Sequence, residues 1–213
     1  MLNIDCDLSW PLELFTTPTI IESYNSIHAF LFLVKRTHSR LSNSWVGMKG
    51  IARKGTNITR DSILIRAQML VFINALYAYL QVDLIDVHYK NLMDVVWDPR
   101  IDINGLAGRH GICVKRILKG SFLADDPASK SIQSSICAII KSIDGFCTIL
   151  KNVGENGSFE SGNVNKRIET LQADFGTSLS FLFRVFGGID SRNYDLEKFL
   201  LRLDYNGWAS RDL

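Results

Sequence analysis

The sequence predicts an all-α fold, an elongated bundle of long helices packed side by side. Three observations predict it. Apolar residues recur at three-, four- and seven-residue steps through most of the chain. No stretch alternates apolar and polar residues as a half-buried strand would, and no internal repeat is present. Prolines and clusters of glycine, asparagine and serine, as in Gly154 to Asn163, mark the places where one periodic stretch ends and the next begins.

Pro11 and Pro18 bracket an irregular opening segment, and a helix is expected from about Pro18, since proline fits the first helical turn. Tyr24, Ile27, Leu31, Val34, Leu41 and Trp45 then form one buried stripe, widened by Phe30 and Leu33. Gly47 to Asn57 reads as a polar, basic loop. A second helix is expected from Thr59–Asp61 to about Asp86, with Ile65, Met69, Phe72, Ile73, Leu76, Tyr79, Leu80 and Leu84 on its apolar positions. A separate short segment, Tyr89 to Trp97, stops at Asp98-Pro99.

Asp102 to Leu123 reads as a further helix carrying Gly105, Gly108 and Gly111. Each glycine costs roughly 1 kcal/mol against alanine, so either this helix frays or its glycine face admits a neighbouring backbone. Asp125-Asp126-Pro127 makes a turn and a helix start. The helix from Ala128 to Asn152 aligns Ile132, Ile136, Ile139, Ile140, Ile143, Cys147 and Leu150. Gly154 to Asn163 is expected to be a flexible loop. A helix over Val164 to Phe186 ends at Gly187-Gly188, and a last one covers Asp195 to Leu203.

A chain of 213 residues with 46% hydrophobic content can build its own core without metal or disulfide. The net charge of +2, from 24 basic and 22 acidic residues, gives no chain-wide attraction to nucleic acid or an acidic membrane. Cys6, Cys113, Cys137 and Cys147 form no C-x-x-C pair and read as reduced thiols of a cytosolic protein. No segment holds the ~20 consecutive apolar residues that span a bilayer, and Met1 leads into Asn3, Asp5 and Asp7, unlike a signal peptide.

Chemistry-bearing constellations are missing from the sequence. His28, His38, His88 and His110 stand without ligands at metal-binding spacing, so no metal or other cofactor is expected. Gly50 to Gly55 is followed by Thr56 and lacks the lysine of a phosphate-binding loop, and there is no G-x-S-x-G. Asp83 with Asp86 fits a solvated helix face. No enzyme is expected. Lys35, Arg36, Arg40, Lys49, Arg53, Lys54 and Arg60 concentrate positive charge around the first loop. That charge suits an acidic partner surface, and it suits an ordinary solvated loop equally well.

Four stretches follow one another in a recognisable order. The first is Trp10-Pro11-Leu12, then Tyr24, Phe30-Leu31, Lys35-Arg36, Leu41 and Trp45. The second is Arg66, Met69, Phe72-Ile73, Leu76, Tyr79-Leu80 and Asp83, an R-x-x-M-x-x-F helix. The third is Asp102, Leu106 and His110, and the fourth is Leu203-Asp204-Tyr205-Asn206 followed by Trp208. Together they resemble the carboxy-terminal, γ-tubulin-binding domain of the γ-tubulin complex component (spindle pole body component) family. Departures include His28 for an aromatic residue, Asn104 for an aspartate and Cys113 for a phenylalanine. Phe30, Leu31, Met69, Phe72, Ile73, Leu76 and Leu80 are expected in the core, and Arg66, His110, Asp204 and Asn206 are expected to anchor helix ends or buried hydrogen bonds.

The resemblance implies one helical domain over residues 1–213, without the family's amino-terminal half. It implies γ-tubulin and other complex components as partners, microtubule nucleation as the function, and the cytoplasm, cytoskeleton and microtubule-organising centre or spindle pole as the location. The candidate contacts are Lys49, Arg53, Lys54 and Arg60, with Lys166 and Arg167 near a helix start. The alternative is an all-α scaffold or tethering module that binds another helix and has no tubulin link. A helical enzyme with an unrecognised site is weaker still.

Overall fold

The computed structural model describes residues 8–53, 60–156, 161–187 and 194–204, with side chains described within 8–49, 60–153, 164–187 and 197–204. After a short 3-10 turn at Leu12–Phe15 come α1 (Pro18–Arg53), α2 (Arg60–Ala78), a π-helical segment (Tyr79–Ile85) and α3 (Asp86–Val96). Then follow α4 (Ile103–Gly120), α5 (Pro127–Asn156), α6 (Ser161–Gly187) and α7 (Tyr194–Leu203). There is no strand among the described residues.

Two expected breaks are helical. The predicted basic loop from Gly47 is the last part of α1, which continues to Arg53. Packing overrides the glycine there: Met48 is buried, and a Cβ on Gly47 would stand 3.9 Å from the Leu150 carbonyl of α5. Likewise the separate helices expected to Asp86 and from Tyr89 are one helix over Arg60–Val96. Leu76, Leu80, Leu84, His88 and Leu92 recur every fourth residue. In a helix of 3.6 residues per turn such a row drifts around the surface, whereas the wider π turn keeps it facing inward. This helix is long and apolar enough to cross a bilayer by length and composition, but 44% of its most apolar window is buried inside the bundle.

The expected loop from Gly154 to Asn163 is helical at both edges, since α5 runs to Asn156 and α6 starts at Ser161, and its middle, 157–160, lies outside the described residues. At the start of α5, Asp126 accepts hydrogen bonds from the Ser129 N–H (2.9 Å) and hydroxyl (2.7 Å), which hold its carboxyl below the usual range.

The glycine-bearing α4 is neither frayed nor crossed by a backbone. Gly108 has open space where a Cβ would stand, and Gly111 meets only the Ile20 Cδ1 at 4.0 Å. Asp102 caps its start, accepting from the Gly105 N–H at 2.9 Å. Its end is closed by Ser121 N–H to the Ile117 carbonyl, Leu123 N–H to Leu118 and Phe122 N–H to Lys119. The last carbonyl, Gly120, accepts from the buried Tyr79 hydroxyl at 2.8 Å. Phe122 takes the left-handed position (φ 59°) that usually favours glycine. Its ring offsets that strain by packing with Tyr79, Phe186 and Phe199. Gly120 itself cannot carry a side chain, since a Cβ would lie 2.3 Å from Leu84 Cδ1.

One core joins Val34 and Leu41 of α1, Met69 and Ile73 of α2, Ile136 and Ile143 of α5, Leu182 of α6 and Phe199 of α7. Leu31 lies at its edge rather than inside it. The helices pair in a consistent sense. Lys35 donates to the Tyr77 hydroxyl (3.4 Å) while Arg66 reaches the Leu41 carbonyl (3.2 Å), so α1 and α2 are antiparallel. Arg36 and Arg40 share Asp144 (3.3 and 2.6 Å) and Arg40 also donates to Thr148, so α5 runs with α1. Phe72 meets Phe175 edge-on at 6.4 Å, and Arg202 of α7 pairs with Asp83 of the π segment.

Candidate protein-binding surface

This pairing puts the end of α1, the start of α2, the end of α5 and the start of α6 at one end of the bundle. Lys49, Arg60, Lys166 and Arg167 are all exposed there. Lys49 projects from helix rather than from the expected loop. Arg53 closes α1, its side chain lying outside the described set, and Lys54 lies outside the described residues. Four of the six candidate residues are therefore exposed at a common end, Lys49 and Arg60 from the consecutive helices α1 and α2 and Lys166 and Arg167 from the distant α6.

The same end carries apolar surface. Trp45, expected on the buried stripe, is 41% exposed, and Val46 beside it is 73% exposed. Ile63 and Leu64 of α2 are half-exposed. Trp45 sits at the edge of the stripe because two cations hold its ring. The Lys49 ammonium and the Arg66 guanidinium each lie 5.4 Å from its centroid. An exposed pair of this kind is worth ~0.5–1 kcal/mol.

Arg66 is fixed more firmly. Its Nε donates to the Ser44 hydroxyl (3.0 Å), and its Nη2 donates to the carbonyls of Leu41 (3.2 Å) and Ser42 (3.3 Å). Partial burial lowers its pKa from the ordinary value. Arg66 is thus the anchor its motif position suggested, and it also presents Trp45. Exposed aromatic area beside a hydrogen-bonded guanidinium is the composition found at protein-binding anchors. Sequence reasoning missed Trp45 as surface. The Trp45–Lys49 spacing of four residues was the available signal.

His110, another polar motif residue, has a structural role. The Tyr24 hydroxyl shares a 2.8 Å hydrogen bond with His110 Nε2, and Phe15 packs edge-on against the same imidazole at 5.7 Å. Burial lowers the His110 pKa. Tyr24, expected in the core, is 38% exposed because its hydroxyl reaches across to α4. Leu203 is buried at the end of α7, while Tyr205, Asn206 and Trp208 lie outside the described residues. Cys113, Cys137 and Cys147 are unpaired, and Cys6 lies outside the described residues.

The chain matches the family model described as Gamma tubulin complex component C-terminal over residues 1–208. It is 26% identical over 218 residues to Gamma-tubulin complex component 4 of Homo sapiens, covering 99% of this chain and 31% of that protein. It is 27% identical over 140 residues to Gamma-tubulin complex component 2 of Arabidopsis thaliana, covering 63% of this chain and 20% of the relative. Spindle pole body component alp4 of Schizosaccharomyces pombe is 25% identical over 178 residues, covering 76% and 22%. The chain therefore spans less than a third of the length of these relatives. With the four motifs in place and the family model covering nearly every residue, this chain belongs to the γ-tubulin complex component family, in its C-terminal region.

Proposed function

We propose that this chain binds γ-tubulin within a γ-tubulin complex and thereby supports microtubule nucleation at microtubule-organising centres such as the spindle pole. The observation that carries the proposal is the family match over residues 1–208. The mechanism is geometric. A rigid helical face grips γ-tubulin, and several such components hold γ-tubulins side by side as a template for α/β-tubulin. GTP chemistry belongs to tubulin, and this chain is not an enzyme. Its partners are γ-tubulin and other complex components, rather than nucleic acid or membrane, in the cytoplasm and cytoskeleton.

The contact surface in this proposal is the basic end of the bundle, where Lys49, Arg60, Lys166 and Arg167 are exposed, with Arg53 and Lys54 as further candidate contacts from the sequence. Exposed Trp45 and Val46 support it by supplying apolar area beside the charge. Lys49→Glu with Arg60→Glu tests it against immobilised γ-tubulin. Association at low salt slows by about tenfold, and the difference shrinks as salt rises. Unchanged kinetics at low salt remove this end from the interface.

A further inference from the structure

A second surface lies far from the basic end. Along the helix of Arg60–Val96, Arg60 and Asn91 are separated by about 45 Å at 1.5 Å per residue. There α3 and α4 run antiparallel, with the Cys113 thiol 3.5 Å from the His88 carbonyl. Between them is an open cleft of about 270 Å³. Asn91, Leu92 and Val95 line one side, and Arg109, Ile112 and Arg116 line the other.

The charge in this cleft is unbalanced. Arg109 and Arg116 are both exposed, and neither is bonded to a carboxylate among the described residues. Asp98, just past the end of α3, is held by Arg100 through both oxygens (2.9 and 2.8 Å). Arg109 gives Asp98 only a minor through-space attraction. The two arginines are seven residues apart on α4, so they share one face about 10 Å apart. Between them Ile112 is 52% exposed and faces Leu92 and Val95 across the cleft. Elsewhere in the bundle, Asp144 takes both Arg36 and Arg40, and Asp83 takes Arg202. Two cations flanking an apolar strip, neither in an ion pair among the described residues, define the complement.

We propose that the α3–α4 cleft docks an acidic amphipathic segment of a partner protein. Two carboxylates of that segment pair with Arg109 and Arg116, and an apolar side chain between them packs on Leu92, Val95 and Ile112. Charge complementarity selects this occupant over a purely apolar helix, which would leave both guanidinium groups under an uncharged lid. It also selects it over a small anion, which cannot span both arginines or cover Ile112. The site is independent of the γ-tubulin proposal, because it uses neither the basic end nor Trp45.

The test uses a fluorescein-labelled helical peptide with glutamates seven residues apart and leucine midway, titrated with the whole chain by fluorescence anisotropy. Saturable binding is expected, with Arg109→Gln plus Arg116→Gln weakening it about tenfold or more and Lys141→Gln leaving it unchanged. A peptide with glutamine for glutamate should bind as weakly as the double variant does to the original. The proposal is overturned by absence of saturable binding to the native chain. Equal binding of native chain and double variant overturns it as well. So does displacement by inorganic phosphate at matched ionic strength with no dependence on the leucine, which would mark a simple anion site.

Discussion

Removing one oxygen atom from Tyr79 tests how the π segment is tied to the end of α4. Tyr79→Phe keeps the ring in its stack with Phe122 (6.0 Å) and Phe199 (5.0 Å). It deletes the donor to the Gly120 carbonyl, which stands in a buried position. That carbonyl is then left without its protein partner, and a buried unsatisfied acceptor costs about 1–3 kcal/mol. In a chain of this size each kcal/mol lowers Tm by about 2–4 °C, so a drop of roughly 2–12 °C is expected. Urea unfolding followed by far-ultraviolet circular dichroism gives the free energy directly. Tyr77→Phe is the matched control. Its hydroxyl accepts a long 3.4 Å bond from exposed Lys35, so its loss should cost less than about 0.5 kcal/mol. Equal stabilities for the two variants would refute the claim that the Tyr79 hydroxyl completes the α4 terminus.

Two further outcomes follow from buried groups. Thr37 is fully buried and its hydroxyl has no hydrogen-bond partner among the described residues, so Thr37→Val should raise stability by up to about 1 kcal/mol in the same urea assay. A loss of more than 1 kcal/mol would show that the hydroxyl is satisfied in solution. Burial pushes the Cys147 thiol from 9.0 up to about 11. At pH 8 only about one such group in a thousand is thiolate, so iodoacetamide should label Cys147 in the unfolded chain but not in the folded one. Because the folded pKa is the higher one, its contribution to stability is complete below about pH 9 and is lost as pH rises toward 11. Rapid labelling of Cys147 at pH 8, seen by peptide mass spectrometry, would contradict this.

Much of the fold was legible because most helices carry an unambiguous stripe. Met69, Phe72, Ile73, Leu76 and Leu80 are buried as their spacing required. Asp126 and Asp102 cap helices at positions where the sequence predicted starts. What escaped depends on contacts between distant segments. Gly47 reads as a break, but Met48 is drawn into the core and carries the helix onward. The four-residue row from Leu76 to Leu92 signals a widened turn only once α4 and α7 are seen packing on it. Phe122 in a left-handed position is invisible to propensity, because its aromatic neighbours stabilise it.

The candidate surface was half legible. Lys49, Arg60, Lys166 and Arg167 were identifiable as basic residues near helix ends. That they occupy one end of the bundle follows only from helix direction, which no local pattern encodes. Trp45 sits at a spacing that suits the core, and its exposure is set by Arg66 of α2 reaching around it.

The measurement that bears most directly on the central claim is binding of this purified chain to purified γ-tubulin at physiological salt, with α/β-tubulin as the control. Selective, saturable binding to γ-tubulin is predicted. A folded, helical chain that binds neither protein, or binds both alike, would contradict it and leave the scaffold alternative in its place.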